Sequence, residues 1–380
     1  MVSIPYDHRT TTRRPLGRLL LRVDAVLLLT TLALAVLGVI MVYSATRAKL
    51  ALAGIDPHYY LTRQAEFVVL GIIVMTVFAM LDYRWLEHAS GVFYVGIVLA
   101  LLAMFAIGKT QLGATRWINV GPVQLQPSAF GTLVLIVVVA TFCARRNDSL
   151  GRRDLVRVLL LAAVPILLVV KQPDLGSGIL MMVVLFVMLV VAGISNRHLL
   201  VLVLLAALSA FAMIHFGLLK HYQLQRLTSF LNQSANTTGG YNLAQSKAAI
   251  GSGGFWGAGL FHGAQTNLAY VPAQQTDFIF SAVGEQLGFV GAASVIGLLG
   301  LLAWRLLRAA QLARDPFGRL LATGAFTLIA FSAFENAAMT MGIMPIAGIP
   351  LPFLSYGGSA TISFFAAVGI AMSVLLHRDR

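Results

Sequence analysis

Fourteen Asp and Glu residues are spread over 380 positions, and those beside or inside apolar runs are where chemistry could occur. Asp277, in Gln275-Thr276-Asp277-Phe278-Ile279-Phe280, directly precedes such a run. A carboxylate there is either a helix-end residue favoured by the dipole or a general base within reach of a sugar hydroxyl at a membrane surface. Glu285 follows eight residues later, two turns along the same helix face, and Glu335-Asn336 fall within a later apolar run. A charge at the bilayer centre costs about 2.5–3.5 kcal/mol, so such side chains line a cavity, pair with a partner or join helices. Asp174, in Lys171-Gln172-Pro173-Asp174-Leu175-Gly176, suits the cap of a helix starting at Leu175. Arg116 pairs a cation with the interfacial indole of Trp117 in an outer loop, a placement an aromatic belt also explains. His215, His221 and His262 have no metal-ligand spacing. Gly251-Ser252-Gly253-Gly254 follows a helical pattern instead of a strand, so it reads as a turn and not a phosphate loop. Cys143 is the single cysteine, which excludes an intrachain disulfide. The residues demand no cofactor; a divalent cation at the substrate is an open option.

The elements that must position these groups are membrane helices. Hydrophobic residues make up 58% of the chain and charged ones 11%, against about 25% charged in soluble domains. Apolar runs at 25–44, 65–81, 89–107, 127–143, 157–170, 177–194, 198–218, 279–304, 319–341 and 359–376 predict an all-α polytopic membrane protein with ten transmembrane helices. The Arg-rich start followed by a full apolar run reads as a retained first helix. Eighteen of the 27 Lys and Arg residues fall on the side of the N-terminus, which predicts both termini in the cytoplasm. The organisation is then a cytoplasmic tail over 1–24, a membrane domain over 25–376 with a large extracytoplasmic loop at 219–278 between helices 7 and 8, and a short tail at 377–380. A loop of that length is functional or disordered; its Tyr241, Phe255, Trp256, Phe261 and Tyr270 suit a membrane interface. The segment with Pro345, Gly348, Pro350, Pro352, Gly357 and Gly358 cannot continue a helix and reads as a tight re-entering loop or a rigid connector. The net charge of +13 sits in short clusters between apolar runs, which argues against nucleic acid as a partner. Small residues at Gly291, Ala292, Ala293, Gly297, Gly300, Ala322, Gly324 and Ala325 suggest a face on the eighth and ninth spans where another helix could dock.

Taken together, these segments resemble the SEDS (shape, elongation, division and sporulation) family of cell-wall polymerases, typified by RodA and FtsW. The matching residues are Arg116-Trp117-Ile118, Gln126-Pro127-Ser128, Gln172 through Gly176, Gln245-Ser246-Lys247, Gly251 through Gly254, Thr276 through Phe280, Glu285 with Leu287-Gly288, and Gly348 through Gly358. Ser246 through Gly251 and Gly263-Ala264-Gln265 look more like the RodA branch. The resemblance implies a peptidoglycan glycosyltransferase that polymerises lipid II, the undecaprenyl-pyrophosphate disaccharide pentapeptide, for elongation and rod shape. It implies Asp277 as the catalytic base, with Arg116, Trp117, Lys171, Asp174, Gln245, Lys247, Glu285 and Ser355 at the substrate. It also implies a class B penicillin-binding protein as partner; the chain itself has no Ser-x-x-Lys acylation motif. The family's Glu and Lys after Gln-Pro-Ser are replaced by Ala129 and Thr132, and its Glu and His before the Asp by Ala273 and Gln275. A lipid II flippase, or a weakly active scaffold for a transpeptidase, are the competing readings.

Overall fold

The computed structural model describes residues 24–107, 109–111, 114–120, 123–146, 151–217 and 238–378. The tail expected at 1–24, apart from Asp24, and the first part of the long loop lie outside the described residues. Ten long helices match the ten expected spans: α1 (Ala25–Leu52), α2 (Tyr59–Met80), α3 (Arg84–Ile107), α4 (Pro127–Ala144), α5 (Arg152–Lys171), α6 (Leu175–Val191), α7 (Asn196–His215) and, after two shorter helices α8 (Thr238–Ser252) and α9 (Ala264–Asn267), α10 (Ile279–Gln311), α11 (Pro316–Thr340) and α12 (Gly358–Leu376). Seven of them are long and apolar enough to cross a membrane by length and composition. Several run past the apolar windows, because a helix carries arginines and lysines on its end turns where hydropathy already falls. Between α3 and α4 the loop read from sequence is a small antiparallel sheet, β1 (Lys109–Gln111), β2 (Ala114–Val120) and β3 (Val123–Leu125), in sequence order. Thr110 pairs with Thr115, and Ile118 with Leu125.

α12 is the most buried span, enclosed by α2, α4, α10 and α11. The arginine-rich end of the bundle is closed by capped helix starts. Asp24 caps α1 by accepting from Leu27 N at 3.0 Å while its other oxygen takes Arg305 Nε at 2.9 Å, joining α1 to α10. Asp315 caps α11, whose first residue is Pro316, by accepting from Gly318 N at 2.8 Å, and it also takes the Tyr83 hydroxyl. Burial first, and then the Asp315 contact, push that phenol up to about 12. The docking face expected from small residues is only partly present. Gly297 and Gly300 face open space, but Ala322 and Ala325 are buried, and a Cβ on Gly324 would meet Ile136 of α4. Those three belong to the bundle's own core, since a helical repeat of small residues does not say which neighbour it admits.

Candidate active site at the loop end of the bundle

α10 is two helices in sequence. Gly288 breaks it with φ 65° and ψ −164°, a conformation that a residue with a Cβ rarely adopts. The groups freed by the break are taken up by the loop before it: Ala258 N and Gly259 N donate to the Glu285 and Gln286 carbonyls at 2.9 and 3.0 Å, and Phe289 N donates to Gly254 O at 2.9 Å. This explains the glycine-rich run. A Cβ on Gly257 would lie 2.2 Å from Gln286 O, and one on Gly288 2.3 Å from Gly257 N. Residues 279–286 are buried throughout, so the half-helix that follows Asp277 is packed inside protein.

Two consecutive side chains of that half-helix staple the loop to it. Glu285, 1% exposed, accepts from Gln265 N at 2.7 Å with one oxygen and from Thr266 N at 3.0 Å and Thr266 Oγ1 at 2.6 Å with the other. It thereby satisfies the open N–H groups at the start of α9. Gln286 Oε1 accepts from Ser44 Oγ at 2.6 Å and Phe261 N at 3.0 Å, and Arg47 Nη2 donates to Phe261 O at 2.6 Å, tying the same loop to α1. The guanidinium also lies 4.8 Å from the centre of the Phe261 ring. Sequence reasoning missed Gln286 and Arg47, whose partner Phe261 stands 25 and 214 residues away.

Asp277 is half-buried in the turn before α10. The cap position itself is Phe278, whose side chain makes no cap bond. The proline-rich segment before α12 folds back into the bundle as a buried loop, with Ile349, Leu351, Phe353 and Leu354 in the core. It passes so close to α1 and α6 that a Cβ on Gly38 would lie 2.1 Å from Phe353 O and one on Gly176 2.5 Å from Ala347 O. Ser355, 3% exposed, accepts from Leu351 N at 2.8 Å and donates to Thr276 O at 2.6 Å, so its hydroxyl both shapes the loop and holds the Asp277 turn. Glu335 accepts from Ala347 N at 3.3 Å in the same loop.

Asp174 is buried and caps α6 through Ser177 N at 3.3 Å, while its second oxygen accepts from Gln126 Nε2, Ser128 Oγ and Ser177 Oγ at 3.1, 2.8 and 2.8 Å. Neighbouring positions 129 and 132 hold an alanine, whose carbonyl accepts from Ser363 Oγ at 3.0 Å, and a buried threonine. Lys171 is exposed at the end of α5; on α8, Lys247 is exposed and Gln245 half-buried. Ser246 anchors α8 to α11 by donating to Thr340 O at 2.9 Å. Arg116 and Trp117 fall on β2, and their side chains lie outside the described part. Among the described residues no three His, Cys, Asp or Glu side chains gather as a metal site would need.

Residues 24–380 match the family model of the FtsW/RodA/SpoVE cell cycle proteins. The chain is 37% identical over 358 residues, 92% of each chain, to a probable peptidoglycan glycosyltransferase FtsW of Trichlorobacter lovleyi. It is 36% identical over 356 residues, 93% of this chain and 94% of the other, to the peptidoglycan glycosyltransferase MrdB of Escherichia coli K12. Among solved structures it resembles a chain of a peptidoglycan synthase complex that coordinates polymerization and crosslinking, with TM-score 0.79 and 29% identity over 94% of this chain and 98% of that one. It also resembles the rod shape determining protein RodA of Thermus thermophilus, with TM-score 0.69 and 28% identity over 94% and 97% of the two chains. With its sequence matched from Asp24 to the last residue and its helices superposing on those of RodA, this multi-pass membrane protein belongs to the FtsW/RodA/SpoVE family, whose compared relatives are peptidoglycan glycosyltransferases.

Proposed function

We propose that this chain polymerises lipid II into glycan strands on the outer membrane face, with both termini in the cytoplasm and Asp277 as the general base. The observation that carries the reading is a half-buried carboxylate at the loop end of the bundle, on a turn locked between a buried half-helix and a buried loop. Asp277 takes the proton from the acceptor sugar's 4-hydroxyl as that oxygen attacks the donor's anomeric carbon. The bond from that carbon to the lipid pyrophosphate breaks, and the pyrophosphate leaves with its charge met by Lys171, Lys247 and Arg116. Trp117 and Gln245 contact the sugars, while Asp174, Glu285 and Ser355 act through the segments they hold. The assignment to elongation and rod shape, with a class B penicillin-binding protein as partner, is supported by the similarity to RodA and to a synthase complex. A second reading, a weakly active scaffold, is favoured by the uncharged residues Ala129 and Thr132 that follow Ser128, the partner of Asp174.

Asp277→Asn keeps the shape of the side chain but cannot take a proton. The purified variant is expected to produce no glycan from lipid II in detergent while eluting as a folded monodisperse protein. Products of wild-type length from that variant would remove the base assignment. A wild-type chain inert with and without its transpeptidase would favour the scaffold.

A further inference from the structure

Three successive carbonyls run through the turn that bears Asp277, and each is held by a different donor. Gln275 O accepts from Tyr356 N at 2.8 Å, Thr276 O from Ser355 Oγ at 2.6 Å and Asp277 O from Asn336 Nδ2 at 2.9 Å. The first two donors belong to the proline-rich loop. Asn336 stands on α11, is fully buried, and gives its second amide hydrogen to Ile349 O at 2.9 Å. One NH2 group thus joins the turn before α10 to the loop before α12. Both of its hydrogens are used, and a flipped amide would set an oxygen against two carbonyls, so the orientation is fixed by its neighbours. The Asn336 Oδ1 is buried with no hydrogen-bond partner among the described residues, a desolvation cost that a leucine would not carry, so what the asparagine contributes is the pair of bonds its NH2 donates.

We propose that Asn336 is a positioning residue for the transfer reaction: it fixes the main chain of Asp277, and so the place of its carboxylate against the acceptor hydroxyl. This rests on Asp277 as the base. A displacement of about 1 Å at a reacting group lowers a rate by up to about 100-fold, whereas substrate held through other residues keeps its affinity.

The test is steady-state polymerisation of lipid II by the full chain with Asn336→Leu and Asn336→Asp, neither of which can donate to both carbonyls. Ser332→Ala, a buried polar truncation one turn earlier on α11, is the control for packing. The expected result is a fall in kcat of about 10- to 100-fold for both Asn336 variants, with KM within about twofold of wild type. Ser332→Ala should keep wild-type kcat and melting temperature, whereas the Asn336 variants leave two carbonyls without this donor and should melt lower while staying folded at the assay temperature. Unchanged kcat in Asn336→Asp would overturn the proposal. So would losses that follow thermal stability equally in the Asn336 and Ser332 variants. Asp277→Asn run alongside separates the two ideas: if it stays active the base assignment falls, and if it is inactive beside a fully active Asn336→Leu only the positioning role falls.

Discussion

Glu285 accepts all three of its hydrogen bonds from residues 265 and 266, which makes it an anchor of the loop that precedes Asp277 in the chain. Glu285→Gln would turn an NH2 toward donors and remove charge-assisted bonds worth about 1.5–3 kcal/mol. Hydrogen exchange at the Gln265 and Thr266 amides should accelerate by roughly tenfold or more, with α4 and α12 unaffected; unchanged protection at both amides would refute this anchoring. How far each residue could be read from sequence follows the distance to its partner. The capping reading of Asp174 needed only the helix start at the next residue, and the structure has that cap, with Ser177 N three residues on as donor. Glu285 reaches 19 and 20 residues back, and Asn336 reaches 59, over a span that no periodicity reports. Asp277 drew notice through its place before an apolar run, yet the three donors that fix its turn come from α11 and the loop before α12.

At the scale of elements, hydropathy located all ten long helices, because a lipid-facing helix must be apolar over its length whatever it packs against. It did not find the break in α10, since apolar residues continue on both sides of Glu285-Gln286 and the backbone change falls on the single residue Gly288. Nor did it find β1 to β3, which are short and lack alternation over enough residues to register. Gly288→Ala should be costly: a backbone at φ 65° and ψ −164° is essentially reserved for glycine and costs a residue with a Cβ about 1–3 kcal/mol, and the added atom meets Gly257 N at 2.3 Å. Gly297→Ala on the same helix adds its methyl to open space and should raise stability slightly. Thermal unfolding of the two purified variants compares them directly, and equal melting temperatures would mean that the break carries no strain.

For the whole molecule, the excess of arginine at one end predicts which end faces the cytoplasm. Lys49→Cys and Gln311→Cys, both at exposed positions, can be tested in a Cys143→Ala background with a maleimide that does not cross membranes. Intact cells should label at position 49 and stay unlabelled at 311 until lysed; the reverse pattern would invert the topology. The break in α10 then has a consequence for where product can go. From Phe289 to Trp304 the second half covers roughly 24 Å at 1.5 Å per residue, most of a hydrocarbon layer about 30 Å thick. Gly288 thus falls near one face of that layer, where residues 254–259 bond across the break. On the proposed reading, a growing strand leaves directly into the aqueous space while each new lipid carrier arrives sideways through the bilayer, so the length of the polymer is not limited by any volume inside the protein.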